Sequence, residues 1–153
     1  MANVPGLVTD PGRIKGGVIA LPSGGTNIAA YLATPNQPGN YPGIVVIQEA
    51  FGLVDHICDL ARRFANIGYN ACAPALYWRR GGPTNPDDIQ TVFPVMFGLP
   101  DSEAVQDLEA AAASRSRTAS LSGRPNMTGN TCSMTSGSFG APRRQYSAGA
   151  TAL

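Results

Sequence analysis

Two short apolar runs, residues 17–22 and 27–33, are separated by Ser23, Gly24, Gly25 and Thr26. Turn-forming residues between two such runs predict an antiparallel hairpin at a sheet edge. A polar loop rich in Pro and Gly covers 35–43. Ile44, Val45, Val46 and Ile47 follow without interruption, the pattern of a strand buried on both faces of a parallel sheet. Ile57, Leu60, Ala61, Phe64 and Ile67 then recur at helical spacing. Asp55 is the expected N-cap and Gly68 the expected stop. Residues 69–74 read as a second short strand. Strand, helix and strand joined by short loops make a βαβ unit, so the sheet is expected to be mainly parallel with a right-handed crossover. A loop over 76–83 leaves the second strand, and 86–93 predicts a short helix. The alanine-rich stretch 101–113 predicts a longer one, with an acidic first turn that suits the helix dipole.

Beyond Ala113 neither period persists. Residues 114–153 are rich in Ser, Thr, Gly, Arg and Ala, where a βαβ protein would deliver another buried strand. The expected organisation is an α/β unit over 14–113 and an irregular or disordered tail over 114–153. A chain of 153 residues suffices for one domain with a real core. Its net charge of +1, with no basic stripe interleaved with aromatics, argues against nucleic acid as a partner. The first residues lack a basic segment followed by an apolar core, and no stretch approaches the roughly 20 apolar residues of a membrane span. A cytoplasmic protein with no membrane partner is the expectation.

Chemistry concentrates at the end of the run 44–47. Glu49 stands at the carboxyl end of a buried strand, where open α/β sheets place their sites and where an unpaired buried charge is costly. It either caps the helix that follows, lies in solvent, or holds a nucleophile. Arg79 and Arg80 follow the second strand and can reach the same sheet edge. A guanidinium fork suits a substrate carboxylate, or either arginine pairs with a nearby acid such as Glu49 or Asp87. Trp78 with Tyr77 lines a pocket or covers the sheet edge. Cys58 and Cys72 fit core positions. Cys132 is a nucleophile or a plain thiol. With His56 the only histidine and no CxxC pair, no metal-ligand spacing is complete; neither a metal nor another cofactor is called for.

Gln48-Glu49-Ala50-Phe51-Gly52-Leu53, then residues 55–65, then Gly68-Tyr69 and residues 73–79 resemble the dienelactone hydrolase family in words, order and spacing. The resemblance covers about 14–113. It implies an α/β-hydrolase fold, here incomplete, made of the N-terminal hairpin and the parallel βαβ unit. It implies hydrolysis of a small lactone or ester by a Cys-His-Asp triad. By position, Glu49 resembles the glutamate that helps generate the thiolate, the Ala50 N–H an oxyanion donor, and Arg79 the arginine that binds a substrate carboxylate, with Trp78 beside it.

Cys132 departs from the family pattern, which sets its cysteine in a Gly-x-Cys-x-Gly elbow. Here Asn130 and Met134 flank it, and no histidine follows. The expectation is therefore an N-terminal, truncated portion of a dienelactone hydrolase-like protein with a replaced tail and impaired activity. The alternatives are a non-catalytic remnant, self-associating through an uncovered sheet edge, or a fragment that binds small carboxylates.

Overall fold

The computed structural model describes residues 8–83, 85 and 87–114. The predicted hairpin is present. β1 (Ile14–Ser23) and β2 (Thr26–Pro35) pair antiparallel, with Ser23 opposite Thr26. The two-residue loop between them holds Gly24 and Gly25 at φ +58° and +77°. Two successive left-handed residues match the twist of a hairpin, and glycine adopts that conformation without steric penalty.

β3 (Gly43–Val45) leads into α1 (Asp55–Asn66), and β4 (Asn70–Pro74) returns parallel to β3. The sheet order is β1-β2-β4-β3. β4 pairs with β3 on one side and antiparallel with β2 on the other. The expectation of a mainly parallel sheet is thus corrected to a mixed one, because the hairpin joins the βαβ unit through an antiparallel contact. α2 (Ile89–Phe97) starts after Asp88, whose side chain accepts from the Gln90 N–H at 3.0 Å. α3 (Asp101–Ser114) carries Asp101 and Glu103 in its first turn.

Period-two alternation in β2 and β4 divides the core between two layers. Ala29, Tyr31, Ala33, Ala71 and Ala73 pack with Ile57, Cys58, Ala61 and Ala65 of α1. Ile28, Ala30 and Cys72 pack on the other face with Leu21 and Ala111 of α3. Small side chains let helix and sheet approach closely, and burying the larger Ile28 and Ile57 contributes about 1.5–3 kcal/mol each. α3 lies against the sheet through Ala111.

Three further expectations change. The strand 44–47 is shorter and less buried than its apolar run suggests: Ile44 and Val45 are half-buried and Ile47 is 56% exposed. Among the described residues β3 has a neighbour on one side only, so one flank meets no strand. Asp55 is the first helical residue rather than the cap. Val54 caps α1, its carbonyl accepting from Ile57 at 3.0 Å and Cys58 at 3.2 Å. The buried face of α1 is centred on Ile57, Cys58, Ala61 and Ala65, leaving Ile67 exposed past the helix end. Gly68, at φ +98°, stops the helix as expected.

Candidate active site at the carboxyl ends of β3 and β4

Because β3 and β4 run parallel, the chain segments that leave them emerge at one edge of the sheet. From β3 come residues 46–54 and from β4 residues 75–83. The hairpin turn at 24–25 lies at the same edge, since β2 runs antiparallel to β4.

The first segment is tied down by Gln48, a residue to which sequence reasoning gave no role. Its side chain is buried, and Oε1 accepts the Leu76 N–H at 3.0 Å. Beyond it the chain makes a tight turn: the Gly52 N–H donates to the Glu49 carbonyl at 3.1 Å and the Val54 N–H to the Gly52 carbonyl at 3.0 Å. Gly52 sits at φ +91°. Glu49 is exposed, in keeping with the solvent placement among those expected of it. Ala50 is half-buried at the turn, and among the described residues its N–H has no acceptor.

The second segment forms a 3-10 turn, Trp78–Arg80. Tyr77 is buried, and burial pushes its phenol above the ordinary value, partly offset by the Gln48 side chain. Trp78 packs on both core layers and so covers the sheet edge.

The two arginines are committed to α3. Arg79 donates from Nη1 to Asp107 Oδ2 at 2.7 Å and from Nη2 to the Ser23 carbonyl at 3.1 Å, with Glu103 Oε1 3.7 Å away. The Ser23 hydroxyl donates to Asp107 Oδ1 at 2.6 Å. Asp107 lies over the sheet, one turn of α3 before the core residue Ala111. Its hydrogen bond to Arg79, more than any other influence, raises the Arg79 pKa against the opposing effect of burial. Arg80 grips Glu103 with both Nη atoms and donates from Nε to the Gly98 carbonyl at 3.0 Å. That grip holds the Glu103 carboxyl below the usual carboxylate range, against burial. The pairing partners expected for these arginines, Glu49 or Asp87, are replaced by Asp107 and Glu103. The fork of Arg79 is occupied by the protein itself.

The structure therefore brings together Gln48, the turn at 49–52 and Tyr77. It separates Arg79 into an internal network with Ser23 and Asp107. His56 is exposed on the first turn of α1. Cys132 lies outside the described residues. Among the described residues, no group of three His, Cys, Asp or Glu side chains could hold a metal, and no helix is long and apolar enough to cross a membrane.

Comparison with known proteins accords with this geometry. The dienelactone hydrolase family matches residues 28–130. This chain belongs to the dienelactone hydrolase family. A "Putative carboxymethylenebutenolidase" of Salmonella typhi is 39% identical over 123 residues, covering 79% of the chain and 46% of that relative. One of the same name in Escherichia coli K12 is 41% identical over 111 residues, covering 71% and 41%. The solved "Putative Dienelactone Hydrolase from Klebsiella pneumoniae subsp. pneumoniae MGH 78578" superposes with TM-score 0.61 at 40% identity, over 69% of this chain and 45% of that one. The fold is accordingly that of the family, α/β-hydrolase-like. The chain spans less than half the length of these relatives.

Proposed function

We propose that the chain supplies the acid and oxyanion side of an ester- or lactone-hydrolysing site, with residues 14–113 as the N-terminal part of the hydrolase domain. Glu49 takes the proton of the Cys132 thiol. The thiolate attacks the carbonyl carbon of a small lactone or ester, and the Ala50 N–H donates to the oxygen that becomes negative. When the tetrahedral adduct collapses, the proton passes from Glu49 to the departing alkoxide. Water then cleaves the thioester and restores the thiol. No metal enters these steps.

The observation that carries this reading is the turn at 49–52. A buried amide anchors it, and it presents a backbone N–H with no acceptor among the described residues, next to a solvent-reachable carboxylate at the carboxyl end of a strand, within the family match. Arg79 enters the proposal differently from its expected role. Its fork is spent on Asp107 and Ser23, so it braces the site's edge instead of clamping a substrate carboxylate.

Hydrolysis of a chromogenic ester by the full chain tests the proposal, with Cys132→Ala and Glu49→Gln as variants. Both are expected to lose at least about ten-fold in kcat, Glu49→Gln through loss of base catalysis. Turnover that survives Cys132→Ala removes that residue as nucleophile. No turnover in the unaltered chain leaves the non-catalytic remnant as the better reading.

Self-association at the flank of β3 that meets no strand among the described residues belongs to the same proposal, because exposed strand edges recruit further strands. Ile47→Lys is expected to shift sedimentation toward monomer, and an unchanged distribution counts against the edge. A cytoplasmic location completes it, and cell fractionation tests it.

A further inference from the structure

The Gln48 side chain is buried, yet only one of its two polar atoms is accounted for. Oε1 accepts the Leu76 N–H at 3.0 Å, whereas Nε2 is fully buried and meets no acceptor within hydrogen-bond geometry among the described residues. Exchanging the two atoms would point a donor at a donor, so their assignment is set by Leu76. Tyr77, the next residue, lies close enough for the Gln48 amide to favour its ionised form against burial. The Tyr77 ring in turn faces Gly52: a Cβ placed on Gly52 would lie 3.5 Å from Tyr77 Cδ2. Gln48 thus ties down Leu76, and the residue that follows it, Tyr77, walls the turn at 49–52.

We propose that Gln48 is the positioning residue of this turn, holding Leu76, and through it the adjoining Tyr77, so that the Tyr77 ring supports Gly52 and the Ala50 N–H keeps its direction. A strut of this kind needs an acceptor of Gln length. An apolar side chain would leave the Leu76 N–H buried and unpaired, which native structures avoid by shifting the backbone. That shift would carry Tyr77 away from Gly52 and free the turn. The consequence for catalysis rests on the proposed role of the Ala50 N–H; the strut itself does not.

The test uses the full chain and its variants Q48M, which keeps length and loses both polar atoms, and Q48E, which keeps an acceptor. Amide exchange by NMR is expected to rise at least ten-fold at Gly52 and Val54 in Q48M. Ala61 and Ala65 in α1 should stay unchanged, and protection should return in Q48E. Unchanged exchange at Gly52 and Val54, or an equal rise in α1, overturns the proposal. If Q48M does not fold, Q48E decides: protection at Gly52 and Val54 within three-fold of the unaltered chain upholds the strut, and its loss overturns it. Where ester turnover is measurable, kcat should fall in Q48M with KM little changed. A chain with no turnover defeats the hydrolase reading while the exchange data still judge Gln48.

Discussion

Arg79 and Asp107 meet at 2.7 Å, joining the 3-10 turn after β4 to the middle of α3. Their surroundings differ: the Asp107 side chain is 0% exposed and that of Arg79 22%. Removing one partner of a buried pair costs about 3–5 kcal/mol because the other charge is left uncompensated. Arg79→Ala strands the fully buried carboxylate with only the Ser23 hydroxyl for company. Asp107→Ala strands a guanidinium that still reaches water and Glu103. Arg79→Ala is therefore expected to lie near the upper end of that range and Asp107→Ala near or below the lower. Urea denaturation of both variants measures the order, and the reverse order would show that the burial argument is wrong.

The pair formed by Arg80 and Glu103 makes stability depend on acid. Its folded-state carboxyl is held below the ordinary glutamate value of about 4.3. A depressed carboxylate contributes stability that is present above the unfolded value and is lost as pH falls through the folded one. The contribution should be full at neutral pH and disappear below about pH 4. Both side chains are partly exposed, so about 1 kcal/mol is the ceiling. Glu103→Gln should flatten this part of a stability–pH curve between about pH 2 and 5. A curve of unchanged shape would assign the acid sensitivity elsewhere.

Gly52 occupies φ +91° beside Tyr77. The space for a methyl group is ordinary van der Waals contact, so the penalty for Gly52→Ala is one of backbone conformation. About 1–3 kcal/mol is expected, read as a lower urea midpoint with an unchanged m value. A variant as stable as the parent would show that the turn does not need its left-handed residue.

Phe93 and Phe97 stack at 5.8 Å between ring centroids on α2, and Phe97 is 78% exposed. Ile89 lies on the same stripe. Phe97→Ser should cost no more than about 1 kcal/mol, because little surface is buried there. It should also raise solubility by breaking an exposed apolar patch. Light scattering at rising protein concentration checks the second effect, and a large loss of stability would mean that Phe97 is covered in solution.

Much of the fold could be read before any tertiary information. The pair Gly24 and Gly25 between two apolar runs specified the hairpin, and helical spacing from Ile57 to Phe64 specified α1. The words around Gln48 and Trp78 pointed to the family. What misled was burial. The run Ile44 to Ile47 is as apolar as any central strand, but how much water it meets depends on how many strands flank it, and period and composition do not report neighbours.

The site divides in the same way. Chain order alone determined that Glu49, Ala50 and residues 76–80 would gather at one sheet edge, because parallel strands joined by a helix must end on the same side. Only the tertiary structure decided what each side chain does there. Arg79 finds Asp107, 28 residues away, because α3 lies across the sheet. Gln48 is buried and Glu49 exposed because successive side chains at a strand end point to opposite sides. Local pattern is written in neighbouring residues; the partner of a charge is set by which distant element packs against it, and that was fixed only when both faces of the sheet were covered.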